Sequence, residues 1–98
     1  EVYIGAGKDG KPHGSGVYTW TSGSEYDGEW VGGKKHGTGA FTFSCGNLYN
    51  GDWVENNRQG SGVMTWINGD VYTGQWMGDK RHGRGVMTFP SGFVYDGE

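Results

Sequence analysis

Ninety-eight residues with 33% hydrophobic content, 22 glycines and a net charge of −3 suit one small domain without the apolar mass of a two-layer core. Aromatics reach 15%, too many for a disordered segment. No apolar run approaches the roughly 18 residues of a membrane-crossing helix, and the mild acidity argues against bulk nucleic-acid binding.

From Tyr3 onward the chain repeats itself. Units of 23 residues run 3–25, 26–48, 49–71 and 72–94, with no insertion or deletion, and 95–98 opens another. Each unit starts on Tyr with Gly third (Gly5, Gly28, Gly51, Gly74, Gly97), and carries a Gly-x-Gly further on, such as Gly37 and Gly39. Thr19, Thr42, Thr65 and Thr88 each precede an aromatic (Trp20, Phe43, Trp66, Phe89). Glu1 and Val2 match the tail of a unit, so the expectation is a segment of a longer array, with 1–98 as a single repeat domain.

Within the second unit, "EYDGEW" alternates as a strand, "VGGKKHGT" reads as a loop, "GAFTF" as a second strand and "SCGN" as a turn. "TSGS", "INGD" and "PSGF" place Gly equivalently, where a left-handed residue closes a hairpin. No stretch offers helical spacing. The expected fold is all-β: a single-layer, twisted antiparallel meander of β-hairpins, about nine short strands and no helix.

Alternation puts Tyr26, Gly28 and Trp30 on one face with Gly39, Phe41 and Phe43 of the next strand, and Asp27 and Glu29 on the other. The glycines leave floor on which a ring from a neighbouring strand lies flat. Two strand glycines cost roughly 1–2 kcal/mol per unit. Burying three or four large side chains returns about 1.5–3 kcal/mol each, so the rings win once several units stack.

"YDGEWVGGKKHGTG", "YNGDWVENNRQGSG" and "YTGQWMGDKRHGRG" resemble the MORN repeat (membrane occupation and recognition nexus). The likeness covers essentially the whole chain. The first unit departs from it, with Gly7 in place of Trp and Ala6 in place of the acid. The resemblance implies an elongated array of hairpins, usually intracellular, as in junctophilins, plant phosphatidylinositol phosphate kinases and ciliary or parasite cytoskeletal proteins. It also implies peptide binding, dimerisation or membrane-lipid contact.

All eight Lys and Arg fall between the sixth and thirteenth places of a unit, where three acids leave a net +5, against −8 elsewhere. In a meander these places share one edge, two strand separations or roughly 9–10 Å apart. Lys34, Lys35, Arg58, Lys80, Arg81 and Arg84 are therefore candidates for an anionic-ligand edge, facing phospholipid headgroups or an acidic partner. Solubility of hairpin loops explains the same cations. Tyr26, Trp30, Tyr49, Trp53, Tyr72 and Trp76 are candidates for a groove taking a helix, an extended peptide or a second copy. Open terminal strands favour a dimer.

His13, His36 and His82 recur at one place, but neighbouring hairpins sit too far apart to share a zinc ion easily, so no metal or other cofactor is expected. A lone Cys45 cannot form an internal disulfide and fits a reducing compartment, and the resemblance implies a cytoplasmic setting with cytoskeletal or membrane attachment. No phosphate-loop, Gly-x-Ser-x-Gly or His-Glu-x-x-His string occurs, and an enzyme is not expected. A choline- or carbohydrate-binding aromatic solenoid, suggested by "GVMTW" at 62–66, is disfavoured by the regular spacing and the cations.

Overall fold

Period-2 alternation of large and small residues, broken twice per unit by glycine-bearing turns, permits one simple solution: a strand that reverses, pairs with itself and repeats. The computed structural model, which describes residues 1–97, has that form. Its strands are β1 (Val2–Lys8), β2 (Lys11–Thr19), β3 (Glu25–Val31), β4 (Lys34–Thr42), β5 (Leu48–Val54), β6 (Asn57–Thr65), β7 (Val71–Met77), β8 (Lys80–Thr88) and β9 (Val94–Gly97). They lie in sequence order in one nine-stranded antiparallel sheet, with no helix among the described residues. The slab measures 47 × 24 × 16 Å, longest in the direction expected from stacking one strand beside the next.

Two kinds of turn alternate. Within a unit the connection is only two residues long, shorter than the eight-residue loop the sequence suggests. Gly32 and Gly33 take φ of 57° and 84°, and Glu55 and Asn56 take 45° and 73°. Paired positive φ is the type I′ geometry, whose twist matches that of the flanking strands. Lys34, Lys35 and His36 therefore belong to β4 rather than to a loop. Between units the connection runs over five residues. Trp20 N–H donates to Ser24 O (2.9 Å) and Gly23 N–H to Trp20 O (3.0 Å), and the bonds recur at 43–47, 66–70 and 89–93.

Register explains the glycines. Gly28 stands opposite Gly39, Gly51 opposite Gly62 and Gly74 opposite Gly85. Past each pair the register shifts: between Gly28 and Trp30 lies one residue, while Gly39 and Lys35 are separated by three. That bulge exposes the Glu29 carbonyl, to which the Tyr26 hydroxyl donates at 2.9 Å. Tyr49 and Tyr72 bond Asp52 O and Gln75 O likewise, at 3.0 and 3.1 Å.

The tyrosine ring lies over the glycine of the adjacent strand, Gly39 for Tyr26 and Gly62 for Tyr49. Gly28 does a different job from the one its sequence position suggests. A Cβ there would press on the facing backbone, 2.7 Å from Thr38 O, and on its own unit's Tyr26 hydroxyl at 2.8 Å. One glycine of the pair seats the ring and the other lets the backbones close up.

Candidate functional site

The sheet has one wet face and one covered in rings. On the ring face Tyr26, Trp30, Tyr49, Trp53, Met64, Tyr72 and Trp76 are each no more than 6% exposed. The indoles lean back over the preceding strand. Trp30 Nε1 donates to Gly16 O (3.2 Å), Trp53 Nε1 to Gly39 O (3.1 Å) and Trp76 Nε1 to Gly62 O (3.3 Å). Each tryptophan then meets two tyrosines edge-on. Trp53 packs on Tyr26 (5.4 Å, 88°) and on Tyr49 (5.2 Å, 87°), and Trp76 on Tyr49 (5.3 Å) and Tyr72 (5.4 Å). The six proposed groove residues thus form a continuous ladder, and they make its floor rather than its open surface.

What the floor leaves open is a second row. Trp20, Phe41, Phe43, Trp66 and Met87 pack against the ladder and stay half-buried. Trp20, Phe43 and Trp66 are the aromatics that follow the recurrent threonine. The repeat showed in the sequence; the exposure depends on how far the buried indoles reach, which the sequence does not state.

The cations divide three ways instead of forming one edge. Lys34 and Lys80 flank the two-residue turns and are exposed, whereas Arg84 falls on the wet face by alternation from Gly85. Lys35, Arg58 and Arg81, the tenth residues of their units, stand opposite Trp30, Trp53 and Trp76 and turn over the rings. Lys35 Nζ lies 5.3 Å from the Trp53 and Phe41 centroids, 5.4 Å from Trp20 and 5.9 Å from Tyr26. Arg58 Cζ lies 4.8 Å from Trp76 and 5.8 Å from Phe43 and Tyr49, and Arg81 Cζ lies 5.8 Å from Tyr72. Groove and cations are one surface.

The turn of the following unit clamps the backbone of Lys35 and of Arg58. Lys35 N–H donates to Asn56 Oδ1 (2.8 Å) while Asn56 N–H returns a bond to Lys35 O (2.9 Å). Arg58 N–H donates to Asp79 Oδ1 (2.7 Å), and Asp79 N–H to Arg58 O (3.2 Å). Arg58 adds Nε to Asp79 Oδ1 (3.2 Å) and Nη2 to Asp79 O (2.7 Å). It forms the single ion pair found among the described residues, so neither Lys35 nor Arg81 has a carboxylate partner there.

Burial among the rings holds the Lys35 ammonium below its usual pKa, against a smaller opposing pull from the Asp79 charge. Burial also pushes the Tyr49 phenol up to about 12, and raises Tyr26 further. On the wet face, Glu29 accepts from Thr38 N–H and Thr38 Oγ1, both at 2.8 Å, and these bonds lower its pKa.

Among the shallow cavities along the ring face, two adjoin at the middle units, of about 490 and 170 Å³. Phe43, Arg58 and Asp79 line both and join them into one trough. His13 accepts from Gly32 N–H at 3.3 Å, and no cluster of three His, Cys, Asp or Glu among the described residues is placed to hold a metal. Cys45 is exposed in the Phe43–Asn47 connection.

The family model of the MORN repeat matches residues 3–25, 26–47, 49–71 and 72–94 in succession. The chain belongs to the MORN repeat family. Comparison with curated proteins gives no match. The second matched MORN unit closes one residue before the 48 that the 23-residue spacing gives. MORN repeats are generally non-enzymatic modules, and the open nine-stranded sheet fits a repeat scaffold. In the first MORN unit Gly7 stands opposite Pro12, so Tyr3 meets only the indole of the next unit, Trp30, at 5.8 Å and 87°.

Proposed function

We propose that this MORN segment is a noncatalytic scaffold whose ring face binds a segment of a partner protein, with self-association through its open sheet ends as a second use. The observation that carries the reading is the half-exposed row of Trp20, Phe41, Phe43 and Trp66 above a floor already filled by the tyrosine–tryptophan ladder. Rings beyond those needed for the core, rimmed by cations and forming a trough, suit recognition of an apolar segment.

The test replaces rim residues and spares the floor. Phe43→Asp and Trp66→Asp should abolish partner capture while circular dichroism stays native, and Thr73→Asp on the wet face should leave capture intact. Capture indifferent to the rim substitutions would refute the groove. Sedimentation equilibrium of the chain reads self-association directly.

Contact with anionic phospholipid is the lesser reading. Lys8, Lys11, Lys34 and Lys80 are exposed beside the turns, but Asp9, Glu55 and Asp79 occupy the same edge. At about 1 kcal/mol per cation near an anionic leaflet, attachment would be weak and lost at high salt, which liposome sedimentation measures.

A further inference from the structure

The ring-face cations have a spacing, and the spacing selects a ligand conformation. Lys35, Arg58 and Arg81 occupy one place in three successive units, each two strands further along the sheet. Strands lie roughly 4.7–4.9 Å apart, so the step is roughly 9.5 Å and Lys35 stands about 19 Å from Arg81. Trp20, Phe43 and Trp66 form a parallel row with the same step.

A segment lying along the trough must present like groups to one side at that interval. An extended β-strand fails, because its third residue points to the opposite side. An α-helix returns to one face after seven residues, about 10.5 Å, and overshoots by about 2 Å across two steps. A polyproline II helix turns once in three residues of about 3.1 Å, or about 9.3 Å, and so keeps register with the units. Such helices dock in aromatic-lined grooves with little entropy left to lose.

Charge names the rest of the ligand. Two of the three cations, Lys35 and Arg81, lack a carboxylate among the described residues, and Lys35 is half-buried among four rings. Arg58 is engaged by Asp79 through Nε and Nη2.

We infer that the ring face of this chain takes an acidic polyproline II segment running across the strands, with Asp or Glu at every third residue facing Lys35, Arg58 and Arg81 and prolines lying on Trp20, Phe43 and Trp66. The inference rests on the groove reading above and adds the chemistry and conformation of the occupant. Lys35 and Arg81 are the anchors, and Arg58 contributes less because Asp79 competes for it.

The test titrates the full chain with a fluorescent peptide of three Glu-Pro-Pro triplets and reads anisotropy. Two controls are its Gln-Pro-Pro counterpart and a peptide of equal composition with the acids at alternate positions. Both controls should bind roughly tenfold or more weakly, and Lys35→Met and Arg81→Met should each cost the triplet peptide about tenfold while circular dichroism stays native. Equal binding of all three peptides overturns the inference. If that binding is also abolished by Phe43→Asp, the groove reading stands and only the acidic register falls. If no peptide binds and partner capture ignores the rim substitutions, both fall. Vesicles containing phosphatidylserine that bind through Lys35 and Arg81, where the triplet peptide does not, would reassign the cations to lipid and overturn the inference.

Discussion

Gly16 and Tyr3 test the seating of rings on glycine in the first unit, where Gly7 in place of Trp leaves the ladder one ring short. A Cβ at Gly16 would lie 2.6 Å from Tyr3 Cε1 and closer to Cζ and Oη, where ordinary contact begins at 3.4 Å. The ring cannot simply swing away. Its hydroxyl is held by Ala6 O and its edge by Trp30. Overpacking of this kind costs about 1–3 kcal/mol. Disturbing the hydroxyl bond adds about 1 kcal/mol, and removing a glycine from a strand returns about 0.5–1 kcal/mol. Gly16→Ala should therefore destabilise by about 1–3 kcal/mol, read as a fall in the urea midpoint by circular dichroism. In a Tyr3→Ala background the clashing atoms are gone and only the propensity gain remains. There the same substitution should stabilise by about 0.5–1 kcal/mol. Destabilisation of equal size in both backgrounds would show that Gly16 is required by the backbone and not by the ring.

Trp53→Phe leaves the buried Gly39 carbonyl without its donor and should cost about 1–3 kcal/mol in urea, against under about 1 kcal/mol for half-exposed Trp66→Phe. Asp79→Ala removes the acceptor for Arg58 N–H and Nε at a residue with φ of 69°, and should cost about 1–2 kcal/mol; Asp79→Asn keeps the acceptor and should cost less than half as much. The Tyr49 phenol titrates at about 12 when folded against 10.0 for the ordinary group, so its contribution is intact below pH 10 and is lost as pH rises towards 12. Tyr26 shifts the same way, and above pH 10 stability should fall by about 1.4 kcal/mol per pH unit for each tyrosine, read as a falling urea midpoint. Glu29 is depressed below 4.5, so its stabilisation is present above that pH and lost as pH falls; Glu29→Gln should flatten the acid limb of a midpoint-against-pH plot.

The fold was legible because its determinants are local and repeated. Tyr26, Gly28 and Trp30 share a face in the sequence pattern and share it in the sheet, and the five-residue connections carry their glycine where a left-handed residue was expected. The ring ladder was legible as a set of residues but not as a floor. Burial of Trp53 depends on its reach to Gly39 O and on Lys35 above it, contacts between units that periodicity within a unit does not encode. The seating of a ring on a glycine of the neighbouring strand was legible, but not which glycine of each facing pair takes it. Only the register, Gly28 opposite Gly39, assigns those two roles.

The placement of the cations turns on the length of a single connection. Reading "VGGKKHGT" as a loop leaves Lys35 with no face, and a loop cation defaults to an edge. Gly32-Gly33 between alternating runs is instead the signal of a two-residue hairpin, and accepting it extends the strand back to Lys34. Counting alternately from Gly39, a ring-face residue, then reaches Gly37 and Lys35. The bulge does not spoil the count, because three residues against one inserts two extra and an even insertion preserves the face. The same count from Gly62 reaches Arg58 and from Gly85 reaches Arg81, both observed over rings. A MORN unit with a basic tenth residue therefore arms its aromatic face rather than its edge, so charge reversal at Lys35 and Arg81 should change what the ring face binds while charge reversal at Lys34 leaves it unchanged.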